Sequence, residues 1–326
     1  MKKVLIAILL LGLLPHASAD YIHWVDFRLS APVLRSALEL DMASQGGEQP
    51  LDWIDILALA AAWRGGTGVT VADTHRAAQA LRGDTPPERL PGMAGRCFSY
   101  YRAAYGAALG GLVGHFAIRR TDPQTGEAEW IPAYGLKAFS PIAAGYPWSH
   151  YPDFGAQRSY GYARPHLGND ILGALGTPIC AVEGGTVEAL GWNRYGGWRI
   201  GIRSDDGKRY YYYAHLRKDT PYAEGLAVGQ RVQAGDVIGF MGRTGYSAQE
   251  NVNNIETVHL HFGLQLIFDE SQKECDSEIW IDVYPIIELL ASHCSSVARD
   301  PQTGRWERLY PYCDLDAEPL RSAAAR

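Results

Sequence analysis

The segment Val258-His259-Leu260-His261-Phe262-Gly263-Leu264-Gln265-Leu266 carries two imidazoles one residue apart. Positions 258, 260, 262, 264, 266 and 268 are Val, Leu, Phe, Leu, Leu and Phe, a continuous apolar face if the segment is a strand. Side chains alternate across a strand, so His259 and His261 project together from the other face, beside Gln265. Packing accounts for the apolar face and leaves the two histidines unexplained. A second segment, Arg164-Pro165-His166-Leu167-Gly168-Asn169-Asp170-Ile171, holds His166 and Asp170 four apart. Pro165, Gly168 and Asn169 predict a tight loop there rather than a helical turn. In such a loop an imidazole nitrogen and a carboxylate oxygen can converge on one cation. Zinc accepts both, and a catalytic zinc site uses three protein ligands and an open fourth position. His166, Asp170 and one histidine of the His259/His261 pair supply that count. A third segment, Tyr211-Tyr212-Tyr213-Ala214-His215-Leu216, puts Tyr211, Tyr213 and His215 on one face by strand alternation. His215 is then available as a partner for chemistry at the metal without ligating it. Singly these features are common; a lone strand histidine is usually structural. Their combination in one β-rich stretch is the signal.

The elements that must position these groups are short strands. Residues 178–182, 186–192 and 198–203 read as strands, and Asp206-Gly207 turns the chain into 208–215 as a hairpin. Residues 232–239 form another short strand punctuated by glycines. This spacing predicts an antiparallel sheet rather than βαβ units. A helix near 282–290 follows, and the segment beyond 295 is polar and weakly patterned. Upstream, the chain to about residue 115 reads as mainly helical. Ile54, Leu57, Ala58 and Ala61 keep helical spacing closed by Gly65-Gly66. Asp73 and Thr74 read as caps of a second helix running to Leu81. A third apolar stretch covers 97–113 and contains Gly110-Gly111. Asp122-Pro123-Gln124-Thr125-Gly126 is a turn signal between two short runs, and residues 134–162 read as an aromatic-rich extended segment wrapping the next domain. The expected fold class is α+β: an antiparallel β-sheet domain carrying these groups, preceded by a mainly α-helical N-terminal domain. The expected layout is a leader at 1–19, a helical domain at 20–118, a linking segment at 119–159, the catalytic domain at 160–291 and a tail at 292–326.

The 326 residues are 47% hydrophobic and 20% charged, ordinary for a globular chain of about two domains. A net charge of −6 gives no basic footprint for nucleic acid. Lys2 and Lys3, the apolar run 4–14 and Ala17-Ser18-Ala19 read as an export leader with a small-residue cleavage site. The alternative is a retained membrane anchor. Five cysteines, Cys97, Cys180, Cys275, Cys294 and Cys313, form no C-x-x-C pair, which argues against a cysteine zinc site. Export would permit one disulfide among the last three; small buried hydrophobic side chains are the alternative reading.

In order along the chain, five stretches resemble the lysostaphin-type, or LytM-like, metallopeptidases. They are H-x-G-x-D at 166–170, Gly176-Thr177-Pro178-Ile179 with 181–185, Tyr213-Ala214-His215-Leu216, 232–239 with Gly242-Arg243-Thr244-Gly245, and His259-Leu260-His261-Phe262. The resemblance covers roughly 160–267 and implies zinc held by His166, Asp170 and His261. It implies an antiparallel β-sheet catalytic domain with an open groove, catalytic histidines at His215 and His259, and a peptidoglycan peptide as substrate. In that chemistry the two histidines serve as oxyanion stabiliser and general acid or base, since imidazole titrates near ~6.5. The segment 247–258 is longer than the turn that usually precedes H-x-H in this family, and Gly263 stands where an acidic residue is common. The expected enzyme is a zinc metalloendopeptidase, secreted or otherwise extracytoplasmic and associated with the cell wall. It would remain membrane-anchored if the leader is not cut. Competing expectations are a non-catalytic LytM-like regulator and an envelope-assembly protein whose N-terminal domain binds an envelope partner. The remaining histidines His23, His75, His115, His150 and His293 read as surface or packing residues, and Tyr146, Trp148, Tyr151 and Phe154 as core, with a groove rim as the alternative.

Overall fold

The computed structural model describes residues 22–273 and 277–317. The leader read at 1–19 and Cys275 lie outside the described residues. Among the described residues no helix is long and apolar enough to cross a membrane.

Four helices open the chain: α1 Ala31–Ser44, α2 Trp53–Arg64, α3 Val71–Leu81 and α4 Met93–Leu109. Helix α2 is apolar all round, with Ile56, Leu57, Leu59 and the alanines from 58 to 62 fully buried. It is therefore the central helix, packed on α1, α3 and α4. Asp52 caps it through Ile54 N, and Gly65 at φ 64° ends it in the left-handed region. The cap of α3 differs from the expectation of Asp73 and Thr74. Thr70 is the N-cap, and Asp73 returns its carboxylate to Thr70 N at 2.9 Å, a reciprocal capping box. The helical reading to residue 115 also overran: α4 stops at Leu109, and β1 Val113–Thr121 begins directly afterwards. β1 pairs with β2 Ala128–Leu136 around the Asp122–Gly126 turn, where Gly126 N donates to Asp122 O at 2.8 Å.

The larger sheet positions the site. Its strands include β3 Trp148–His150, β4 Asn169–Gly173, β5 Gly185–Asn193, β6 Gly197–Ser204, β7 Arg209–Ala214, β8 Arg231–Val232 and β9 His259–Leu266. Their order is β8-β5-β6-β7-β9-β4-β3, all antiparallel, and β10 Ile279–Trp280 pairs with β9. One face is core: Ile200, Ile202, Tyr211, Tyr213, Leu260, Phe262, Leu264 and Leu266 are buried. The other face lines the groove. Helix α5 Tyr284–Leu290 follows β10 and packs against α1. The C-terminal region also enters a sheet, because β11 Tyr312–Asp314 pairs with β1. Among the described residues, five α-helices combine with mostly antiparallel sheets, an α+β fold whose helical region precedes the main sheet. Cys97, Cys180 and Cys294 are thiols; the bridge expected near the C-terminus rested partly on Cys275.

A buried ion pair joins the helices to the sheet. Arg209 is 1% exposed; its Nε and Nη2 donate to Glu183 at 2.7 and 3.0 Å, and Nη1 donates to Ala107 O at 2.8 Å. The Tyr211 hydroxyl donates to the same carboxylate at 2.6 Å. A cation thus meets the carbonyl end of α4, where the helix dipole favours it. Gly111 is required there, since a Cβ at that position would lie 1.6 Å from Glu183 Oε1. Without Glu183 the buried Arg209 keeps only Asp206, a partly exposed carboxylate 2.9 Å from its Nη2. Glu183→Ala should cost about 3–5 kcal/mol in urea unfolding at neutral pH. A loss under about 1 kcal/mol would show that the pair does not stabilise this junction.

Candidate metal centre and groove

Antiparallel pairing of β9 with β4 sets His261 opposite Asp170, and the loop before β4 returns His166 to the same point. Gly168 makes room for this, because a Cβ there would come within 2.7 Å of the His261 ring. His166 Nε2 lies 2.9 Å from Asp170 Oδ1 and 2.8 Å from His261 Nδ1, and His261 Nδ1 is 3.1 Å from Asp170 Oδ1. These separations approach, from slightly below, the roughly 3.3–3.6 Å edges of a tetrahedron built on metal bonds of ~2.0–2.2 Å. The two nitrogens and one oxygen suit zinc, and the three residues together can hold a metal ion.

The electrostatics match that arrangement. Burial alone would raise the Asp170 carboxyl, but hydrogen bonds from His166 and His261 hold it far below the usual carboxylate range. Burial opposes charge on His166, yet the Asp153 and Asp170 carboxylates outweigh it and raise its pKa to about 9. A metal at Nε2 would displace that proton. Burial lowers the pKa of His261 despite Asp170.

Beside the three donors stand two more imidazoles. His259 Nδ1 donates to Thr257 O at 2.9 Å, and its Nε2 lies 3.7 Å from Asp170 Oδ1. His215 Nδ1 donates to Thr244 O at 2.9 Å, and its ring centroid is 4.7 Å from that of His259. Burial first, then the neighbouring imidazoles, push His215 well below the ordinary histidine range. All five residues predicted from the sequence therefore gather at one place. One supporting detail is corrected: His215 does not share a face with Tyr211 and Tyr213, which are core residues. Strand β7 ends at Ala214, and His215 takes φ 61°, so alternation breaks and the imidazole joins Tyr212 on the groove side.

Sequence reasoning missed the groups behind the donors. Asp153 is buried; its Oδ2 lies 3.2 Å from His166 Nδ1, and its Oδ1 accepts from Asn169 Nδ2 at 2.9 Å. His150, read as a packing residue, stacks on Tyr284 and donates to Asn169 Oδ1 at 2.7 Å. Arg158 bridges Asp153 and Asp170 at 3.0 Å each. No motif spacing announces these residues. The acid common in the lysostaphin-type family at the position of Gly263 has no room here, since a Cβ there would lie 2.8 Å from Trp280 and 2.9 Å from Leu167 O. Asp153 provides carboxylate support from another segment. Outer carboxylates that orient a ligating histidine typically contribute ~10–100-fold in metal affinity. Asp153→Asn should weaken zinc binding by that factor in a chelator competition titration, and unchanged affinity would remove Asp153 from the site.

The site opens into a groove of about 980 Å³. Tyr160, Tyr195 and Tyr246 pack around Arg164 near its rim, with Tyr160 and Tyr246 stacked at 4.4 Å. Of the aromatic cluster read as core or groove rim, Tyr151 is 53% exposed and lines the groove, whereas Tyr146 and Trp148 pack on the core. The long segment before β9 is pinned by Asn251, which accepts from Trp198 Nε1 and Asp219 N at 2.9 Å each. Its end, Asn254 to Thr257, forms part of the groove wall.

Residues 164–274 match the model of peptidase family M23. The chain is similar to an L-Ala–D-Glu endopeptidase of Bacillus subtilis, 35% identical over 177 residues, covering 51% of this chain and 52% of that protein. It is similar to lysostaphin of Staphylococcus simulans, 38% identical over 98 residues, covering 30% of this chain and 17% of that protein. The chain therefore spans about half the length of the first relative and less of the second. A solved LytM structure from Ruminococcus gnavus is 24% identical with a TM-score of 0.48, over 82% of this chain and 91% of that one. The matched segment contains His166, Asp170, His215, His259 and His261, and the chain thus carries a peptidase family M23 domain.

Proposed function

We propose that this chain is an exported zinc endopeptidase that hydrolyses peptide bonds in the cross-links of bacterial peptidoglycan. One observation carries the proposal: three donors converge within hydrogen-bond distance of one another, flanked by two non-donor imidazoles, in an open groove. The relatives, named as endopeptidases, support the reaction class. When bound, zinc supplies Lewis acidity, bringing water toward ionisation near pH ~7 and polarising a carbonyl.

The chain's own residues supply the proton chemistry. Both His215 and His259 give their Nδ1 hydrogen to a backbone carbonyl, which fixes each ring and leaves Nε2 as the proton acceptor. His259 Nε2 faces the donor cluster, 3.7 Å from Asp170 Oδ1. That suits His259 to accept a proton from water and return it to the departing amine. His215, kept neutral by burial, stands beside it to orient the reacting groups. A peptidoglycan substrate requires work outside the cytoplasmic membrane, which the leader read at 1–19 would allow.

The test is metal analysis with hydrolysis of purified peptidoglycan. The expected result is about one zinc per chain and release of soluble peptides, abolished by chelation and restored by zinc. Zinc retention with intact peptidoglycan would instead assign the chain as a non-catalytic regulator.

A further inference from the structure

Four cationic side chains line the groove: Arg158, Arg164, Arg199 and Lys273. Three are engaged. Arg158 donates to Asp153 and Asp170. Arg164 donates to Tyr160 O at 2.6 Å and lies 4.5 Å over the Tyr195 ring. Lys273 pairs with Glu188 and lies over the Tyr210 ring. Arg199 differs. Among the described residues its guanidinium has no carboxylate partner, and its Nε is buried without a hydrogen bond. A buried donor left unmade costs free energy that an arriving acceptor recovers.

Strand register locates this cation relative to the site. Asp170 is opposite His261, and His261 is opposite Ala214. Tyr213 is opposite Ile200, so the next pair across β7 and β6 is Ala214 and Arg199. Arg199 therefore stands on the row that carries Asp170 and His261, two strands from His261, or roughly 10 Å between Cα atoms, and three strands from Asp170. Gly201 lets the Tyr210 hydroxyl lie across β6 (a Cβ there would be 1.8 Å from that oxygen), which walls the groove beside Arg199. A peptide residue advances ~3.3–3.6 Å. A substrate whose cleaved bond sits at the donor cluster thus brings the side chain of a flanking residue within reach of the guanidinium.

We propose that Arg199 is a specificity anchor for a free carboxylate on a substrate residue flanking the cleaved bond, which makes the preferred substrate an acidic peptide. This inference rests on the endopeptidase reading above. An arginine–carboxylate pair in a half-buried groove is bidentate and charge-assisted, and its removal should change affinity roughly 10–100-fold.

The experiment uses the full chain and two probe peptides, acetyl-Ala-Glu-Lys-amide and acetyl-Ala-Gln-Lys-amide, each made with the L and the D residue at the second position. Binding is measured by calorimetry and cleavage by chromatography. The expected result is ten- to a hundredfold tighter binding of a Glu peptide than of its Gln counterpart, carried into KM rather than kcat. R199Q should bring the Glu-to-Gln ratio near one, and R199K should keep part of it. Equal binding of both peptides by the unaltered chain, a ratio unchanged in R199Q, or no binding of any probe would overturn the anchor. Glu-selective binding that depends on Arg199, without cleavage of peptide or wall, would keep the anchor and overturn the endopeptidase reading.

Discussion

His261→Ala is expected to lose the metal and the hydrolytic activity together. His261 contributes Nδ1 at 2.8 Å from His166 Nε2 and 3.1 Å from Asp170 Oδ1, so its removal leaves two of three donors. Zinc sites that support catalysis keep three protein ligands. The affinity loss should therefore exceed the ~10–100-fold typical of outer-shell partners. The fold should survive, because the backbone of residue 261 is held on both sides by strands β7 and β4 and alanine leaves those ladders intact. The measurement is zinc stoichiometry after gel filtration, peptidoglycan hydrolysis and far-ultraviolet circular dichroism on the same preparation. Metal retained at full stoichiometry would exclude His261 as a ligand.

How much of this was legible in the sequence depended on whether a residue's partner is set by local periodicity. Segment 258–266 was readable because one face is wholly buried, so the pattern of period two survives in the residue types. The hairpin of β1 and β2 was not, because most of its residues are exposed on both faces and carry no alternation; only its turn was visible. Strand β11 has three residues, too few for any period, and owes its conformation to β1. The motif marks His215, but alternation puts it on the wrong face, since alternation presumes extended backbone and its φ is 61°. Asp153 was invisible for a different reason. It sits thirteen residues before His166 in an irregular aromatic stretch, and only the packing of Asn169 and His166 around it gives it a role. Arg209 and Glu183 were likewise legible only as a strand residue and a turn residue. Their pairing needs the end of α4 beside them.

The second large effect separates turnover from metal binding. His259→Ala leaves His166, Asp170 and His261 in place, so zinc should stay near one per chain while turnover falls ~10²–10⁴-fold, the usual contribution of a positioned acid or base. His215 requires a different substitution. Its left-handed backbone penalises alanine, whereas asparagine adopts that region more readily. His215→Asn should therefore show the loss of the imidazole rather than of the loop, again with metal retained. Removing both should cost far less than the product of the single effects, because the two rings lie 4.7 Å apart and would act on the same reacting atoms. Zinc content, kcat and KM on purified wall material, and thermal unfolding of each variant check this. If His259→Ala releases the metal while His261→Ala keeps it, the two histidines of β9 exchange roles. If both single variants turn over at the unaltered rate, the pair has no part in the chemistry.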